Sequence, residues 1–153
     1  MMWLSSDDSD LQVVMQEGAE HLAPKQAYAG DAGVDLATSR DYVLPAGFVG
    51  RLETGIVGIQ FPTGVWGLIH TRSSTRERWG LEVRTSVIDT DYTGPIYIGV
   101  RAEREVSIPA GTRLAQIVMM LNVIDLMGMK TQVVDAIAER GERGNAGFGS
   151  SGE

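Results

Sequence analysis

Short runs of apolar and β-branched residues alternate with turn-forming residues along most of this chain. The runs fall at residues 11–16, 34–38, 48–53, 55–61 and 65–70, then at 81–84, 86–88, 96–100, 105–108 and 113–123. Most are too short for an ordinary helix and are rich in side chains that suit a pleated surface. Turn signals such as Leu44-Pro45-Ala46-Gly47, Phe61-Pro62-Thr63-Gly64 and Ile108-Pro109-Ala110-Gly111 separate them. Strands spaced this way predict an all-β jelly roll or barrel, not an α/β layer fold. Helical patterning is confined to residues 74–79, enough for one or two turns, and to an ambiguous stretch at 131–139. The two Pro-Ala-Gly sequences each precede a strand and read as separate turns made from the same favoured residues.

Composition narrows the function. A chain of 153 residues makes one domain with room for a real core. Hydrophobic residues supply 43% and charged residues 22%, the balance of a soluble globular protein. No apolar run is long enough to span a bilayer. Zero cysteines exclude disulfides and thiolate metal sites, and point to a reducing, cytoplasmic setting. Two histidines, His21 and His70, cannot make a histidine-rich metal site. A net charge of −7 argues against broad nucleic-acid binding, yet allows one polyphosphate where arginines gather locally. Residues 1–10 read as an acidic, disordered leader without signal-peptide character, and residues 11–142 as the folded domain.

The last eleven residues, 143–153, are a different kind of segment. Arg143-Gly144-Asn145-Ala146-Gly147-Phe148-Gly149-Ser150-Ser151-Gly152-Glu153 offers no surface for a core, because its glycines lose the most entropy on ordering. A tail that orders over a ligand uses these residues well. Glycine amides and serine hydroxyls wrap phosphate oxygens, Arg143 forks onto them, and Phe148 lies flat on a ring. A disordered Gly/Ser terminus is the plainer alternative. A nucleotide-binding P-loop is excluded, since no Gly-Lys-Ser/Thr ending or following helix is present.

Four further clusters carry candidate chemistry. Ala32-Gly33-Val34-Asp35-Leu36 sets a carboxylate in a strand, where it either faces solvent or has a task. Arg72-Ser73-Ser74-Thr75-Arg76 follows an apolar strand and predicts an anion site at a helix start, a plain serine cap, or both. Ser86-Val87-Ile88-Asp89-Thr90-Asp91-Tyr92-Thr93-Gly94 offers a general base beside a tyrosine, or an Asp-rich turn. Such a base needs desolvation or a like charge nearby to raise its pKa. In Arg113-Leu114-Ala115-Gln116-Ile117, Arg113 and Gln116 interrupt a buried strand and are expected to tie loops together.

Taken in order, these five segments resemble the homotrimeric dUTP diphosphatase (dUTPase) family, from about Ala29 to Gly152. The resemblance implies a distorted jelly-roll barrel with a flexible C-terminal arm, assembled as a trimer with active sites at subunit junctions. It implies Mg²⁺-assisted hydrolysis of dUTP to dUMP and pyrophosphate, which limits uracil in DNA and supplies dUMP for dTTP synthesis. Carried over by position, Asp89 is the base that activates water and Arg143 clamps the terminal phosphates. Arg72, Ser73 and Ser74 hold phosphates with support from Gln116, and Asp35 orients a metal-bound water. Tyr92 packs against the deoxyribose and excludes a 2′-hydroxyl, and Ile88 is a further substrate-binding residue. Phe148 stacks over uracil, and Gly149 and Ser150 complete the arm.

Three positions depart from the family pattern. Thr71 stands where a proline usually precedes the arginine, and Ser86 where a glycine precedes Val-Ile-Asp. The connection Gly80 to Val87 is about two residues short and lacks the asparagine that helps read the base; its hairpin turn is expected near Arg84-Thr85. Alternative readings are a dCTP deaminase of the same fold, or a protein that uses the nucleotide to switch an interaction surface. Deamination requires a glutamate where this chain has Gly99, leaving no carboxylate to shuttle a proton.

Overall fold

A computed structural model describes residues 9–146. Eleven strands dominate, with two helices of five residues each. The strands are β1 (Gln12–Met15), β2 (Gly33–Ala37), β3 (Tyr42–Leu44), β4 (Val49–Glu53), β5 (Ile56–Gln60), β6 (Val65–Thr71), β7 (Leu81–Val83), β8 (Ser86–Ile88), β9 (Tyr97–Ala102), β10 (Val106–Ile108) and β11 (Arg113–Leu121). Helix α1 spans Thr75–Trp79 and α2 spans Val123–Met127.

All pairings are antiparallel. They form the sheets β2-β11-β6-β8 and β4-β9-β7, with the ribbons β1-β5 and β10-β3. The expected all-β, jelly-roll-like architecture is present. Inward residues of the two larger sheets, among them Leu52, Ile69, Ile98, Val100, Leu114 and Ile117, join one buried cluster. Period-2 alternation puts Ile98 and Val100 on one face of β9. Leu114 and Ile117, an odd step apart on β11, both turn inward because the register shifts between Arg113 and Ala115. Two close approaches require glycine. The Phe61 ring lies where a Cβ on Gly67 would stand, 2.4 Å from its Cζ, and Gly33 faces Gln116 in the same way.

The structure changes four expectations. Strand β3 falls in a stretch with no predicted strand; it is three residues long and pairs with β10. Its partner lies within a predicted run, and Ile-Pro-Ala-Gly follows it. Leu-Pro-Ala-Gly does the same for β3. Both turns place glycine at positive φ, 84° at Gly47 and 83° at Gly111. The long strand expected to reach residue 123 ends at Leu121, because Asn122 caps α2 by accepting from the Asp125 amide at 3.3 Å. Residues 84–85 do join β7 to β8, but these strands form no hairpin: β7 pairs with β9 and β8 with β6. The connection therefore crosses between sheets. Last, Ser74 occupies the α1 cap position without making a side-chain cap bond. Helix α1 is held instead by the buried Thr75, whose hydroxyl donates to the Leu114 carbonyl at 2.8 Å.

Candidate active site

Register brings the first phosphate-type cluster together. Asp35 on β2 faces Gln116 on β11, and Gln116 faces His70 on β6, two residues before Arg72. Asp35 is not the solvent-facing strand carboxylate that its pattern allows; its side chain is only 11% exposed. One of its oxygens meets Arg72 Nε at 3.2 Å and the other meets Arg113 Nη1 at 3.3 Å. A second Arg72 nitrogen donates to the Arg113 carbonyl at 3.1 Å. Gln116 donates to the Thr71 carbonyl at 3.1 Å, tying β11 to the exit of β6. Thus Arg113 and Gln116 act as ties, as expected, and what they tie is the Arg72 loop. A cavity of about 590 Å³ opens here, lined by Tyr28, Arg72, Ser74, Arg78, Trp79 and Arg113 among others. Three guanidinium groups line it, two of them paired with Asp35, so its charge suits an anion. Ser73 is exposed on the same loop.

The second cluster lies elsewhere on the molecule. Ile88 ends β8 and is buried, so the chain leaves the core at Asp89, which is exposed. A turn follows, closed by the Tyr92 amide donating to the Asp89 carbonyl at 3.1 Å. The Tyr92 hydroxyl donates to the Pro95 carbonyl at 2.8 Å and stands 2.6 Å from the Cβ position of Gly94. That bond and the bare glycine fix the ring. Asn122 steadies the turn from outside, donating to the Thr90 hydroxyl at 3.2 Å. The sequence reading missed this tether, and only the capping pattern Asn-x-x-Asp at residues 122–125 hints at it.

Ile88, Asp89 and Tyr92 line a cavity of about 540 Å³ with Arg51, Ile69, Arg84, Thr85, Ser86, Val87, Pro95, Ile96, Tyr97 and Gly99. Among the described residues none lines both cavities. Within one chain the structure unites Arg72, Ser74, Asp35 and Gln116, and separately Ile88, Asp89 and Tyr92, but does not join the two groups. Gly99 sits in the second cavity, where Asp89 is the one carboxylate among the described residues. Arg143 lines neither; its Nε donates to the Ala146 carbonyl at 2.7 Å. Phe148, Gly149, Ser150 and most of the leader lie outside the described residues.

Among the described residues, no group of three or more His, Asp or Glu side chains is arranged to hold a metal ion. Each Asp35 oxygen takes one guanidinium nitrogen and keeps lone pairs to spare. Such a donor set suits a Mg²⁺ that arrives on phosphate oxygens and keeps its waters. Among the described residues no helix is long and apolar enough to cross a membrane.

An all-β barrel that presents an arginine–serine loop at one cavity and an Asp-turn-Tyr at another belongs to a defined class. The dUTPase family model matches residues 19–152, and the chain belongs to that family. Its relatives include the deoxyuridine 5'-triphosphate nucleotidohydrolase of Corynebacterium glutamicum, 36% identical over 136 residues, covering 85% of this chain and 87% of the relative. The Saccharomyces cerevisiae protein of the same name is 31% identical over 97% of this chain and 98% of its own length. Among solved structures, the dUTPase of Staphylococcus bacteriophage 80alpha with dUPNHPP superposes with a TM-score of 0.81 at 23% identity, over 94% of this chain and 99% of that one. A variant dUTPase from phage phi11 of S. aureus, described with a structural Mg(II) ion, gives 0.68 at 20% identity over 85% and 97%.

Proposed function

We propose that this protein hydrolyses dUTP to dUMP and pyrophosphate, as a homotrimer whose active sites lie between subunits. One observation carries the reading: the anion-receiving cavity and the Asp89 cavity share no lining residue, so each is half a site. A neighbouring copy that apposes the two halves completes it. The C-terminal stretch supports association, for it exposes Leu121 by 66%, Ile124 by 60%, Met127 by 73%, Val133 by 94% and Ile137 by 83%. A monomer rarely leaves so long an apolar series in water.

In the assembled site Arg72, Ser73 and Ser74 hold the triphosphate, with Arg72 aimed by Asp35 and its loop by Gln116. Tyr92 packs on the deoxyribose, held flat by its bond to Pro95, and leaves no room for a 2′-hydroxyl. Asp89 takes a proton from a water whose oxygen attacks the α-phosphorus. The bond from that phosphorus to the bridging oxygen breaks, and pyrophosphate leaves. Asp89 is exposed within one chain, so the desolvation that strengthens a base must come from partner, substrate and arm. Negative charge develops on the phosphates, and arginines there contribute electrostatic stabilisation. Asp35 would orient a water on a Mg²⁺ arriving with the triphosphate, and the ion would supply further neutralisation of the phosphates. Arg143 and Phe148 close over the nucleotide with Gly149 and Ser150, excluding bulk water.

The test is a panel of dUTP, dCTP, dTTP and UTP scored for pyrophosphate and ammonia. Pyrophosphate from dUTP is the expected result. Ammonia from dCTP, or no turnover of dUTP, overturns the proposal.

A further inference from the structure

Arg51 on β4, Gly99 on β9 and Arg84, one residue past the end of β7, make one row. Arg51 on β4 stands opposite Gly99 on β9, and the Arg84 amide donates to the Gly99 carbonyl at 2.8 Å. A Cβ on Gly99 would lie 3.4 Å from Cβ and 3.5 Å from Cδ of Arg84. The Arg84 stem thus rests on bare glycine backbone. Arg51 lies over the Tyr97 ring, 4.6 Å from its centre. Both arginines line the Asp89 cavity. Among the described residues the Arg84 side chain has neither a hydrogen bond nor an ion pair.

Chemistry narrows what Arg84 can receive. A guanidinium only donates, so it recognises acceptors. The cavity's walls include Ile69, Ile88 and Ile96, all buried and apolar. Those walls suit the faces of a flat ring better than a hydrated phosphate. Uracil presents a carbonyl oxygen at its 4-position, where cytosine presents an amino group. An arginine there pairs with the first and leaves two donors facing each other with the second. The connection at residues 84–85 brings Arg84 and Thr85 to this cavity, and of the two only Arg84 is exclusively a donor.

We infer that Arg84, seated on Gly99, is the specificity-determining donor that selects the 4-carbonyl of uracil over the 4-amino group of cytosine. The inference rests on the proposed function, in that it takes this cavity for the base pocket. Titration calorimetry of the full-length protein with dUMP and dCMP tests it without turnover. The wild type should prefer dUMP by about 10- to 100-fold, the worth of one hydrogen bond to a charged group. Arg84→Ala should lose most of that preference by weakening dUMP binding, with dCMP affinity little changed. Arg84→Gln keeps a side chain of similar reach and serves as the second variant should alanine disturb the fold. Equal weakening of both nucleotides assigns Arg84 to phosphate and overturns the inference, as does an undiminished preference or a wild type that binds neither. A wild type that prefers dUMP yet releases no pyrophosphate from dUTP defeats the proposed reaction and leaves this inference standing.

Discussion

Gln116 fills the space that any side chain at Gly33 would need. A Cβ there would lie 2.6 Å from Gln116 Oε1 and 2.9 Å from the Ile117 carbonyl oxygen. Ile117 lies on β11, the strand paired with β2, so its carbonyl cannot yield without moving the sheet. The Gln116 side chain can turn away only by giving up its bond to the Thr71 carbonyl. The glycine of the Ala-Gly-Val-Asp-Leu segment is therefore a packing requirement of the β2-β11 pairing that carries Asp35.

Gly33→Ala should cost about 1–3 kcal/mol of stability, as overpacking does. It should also raise the KM for dUTP, because Gln116 must leave the Thr71 carbonyl. Thermal denaturation and steady-state kinetics check the two effects together. An alanine variant that matches wild type in both would mean that the strands relax freely here.

Asp35→Asn tests the electrostatics of the same cluster. The carboxylate is nearly buried and receives two guanidinium groups, one a third exposed and one half exposed. Removing its charge leaves both arginines with a weaker acceptor, a loss of about 1–3 kcal/mol. Arg113→Ala should cost less, since that partner is largely solvated. Urea denaturation of the two variants gives the comparison.

Much of this architecture is legible in the sequence because strands with one buried face print their period on the chain. Ten of the eleven strands coincide with a run of apolar or β-branched residues. Tyr42–Leu44 does not stand out, since three residues are too few to show a period. Pairing partners were not legible. Nothing local distinguishes a hairpin from a crossover at Arg84-Thr85, because partner choice depends on β6 and β9, far away in the chain. The candidate site residues stand in five ordered segments of the sequence, whereas Arg84, Arg51 and Asn122 carry no such signal. Each acquires its place only through a contact with a remote residue: Gly99, Tyr97 and Thr90.

Asp89 and Asp91 bracket one turn, and only Asp89 lines the cavity. Asp89→Asn should lower kcat by about 10²- to 10⁴-fold, the usual contribution of a general base, with nucleotide affinity retained. Asp91→Asn should change turnover far less. Single-turnover measurement with dUTP, paired with binding of a non-hydrolysable analogue, separates the roles. The opposite ranking would move the base to Asp91.

Deleting the residues after Glu142 should leave a folded trimer that binds dUMP and turns over dUTP poorly. Residues 131–140 carry the exposed Val133 and Ile137 and are kept in that variant. Sedimentation and turnover report on it independently. A shift to monomer would give the arm a structural task.

A site divided between subunits allows two dead proteins to repair one another. Arg72→Gln damages the anion side and leaves Asp89 intact; Asp89→Asn does the reverse. If the two sides come from different copies, trimers formed from an equal mixture contain junctions built from one intact half of each. Random assembly makes roughly one junction in four fully intact. Co-refolding the two inactive variants should therefore restore dUTP turnover to roughly a quarter of the wild-type level, while mixing without subunit exchange should restore none. If both sides came from the same copy, every junction in every mixed trimer would carry one lesion. Activity would then stay at the level of the variants alone, and the separation of the two cavities on the single chain would need another explanation.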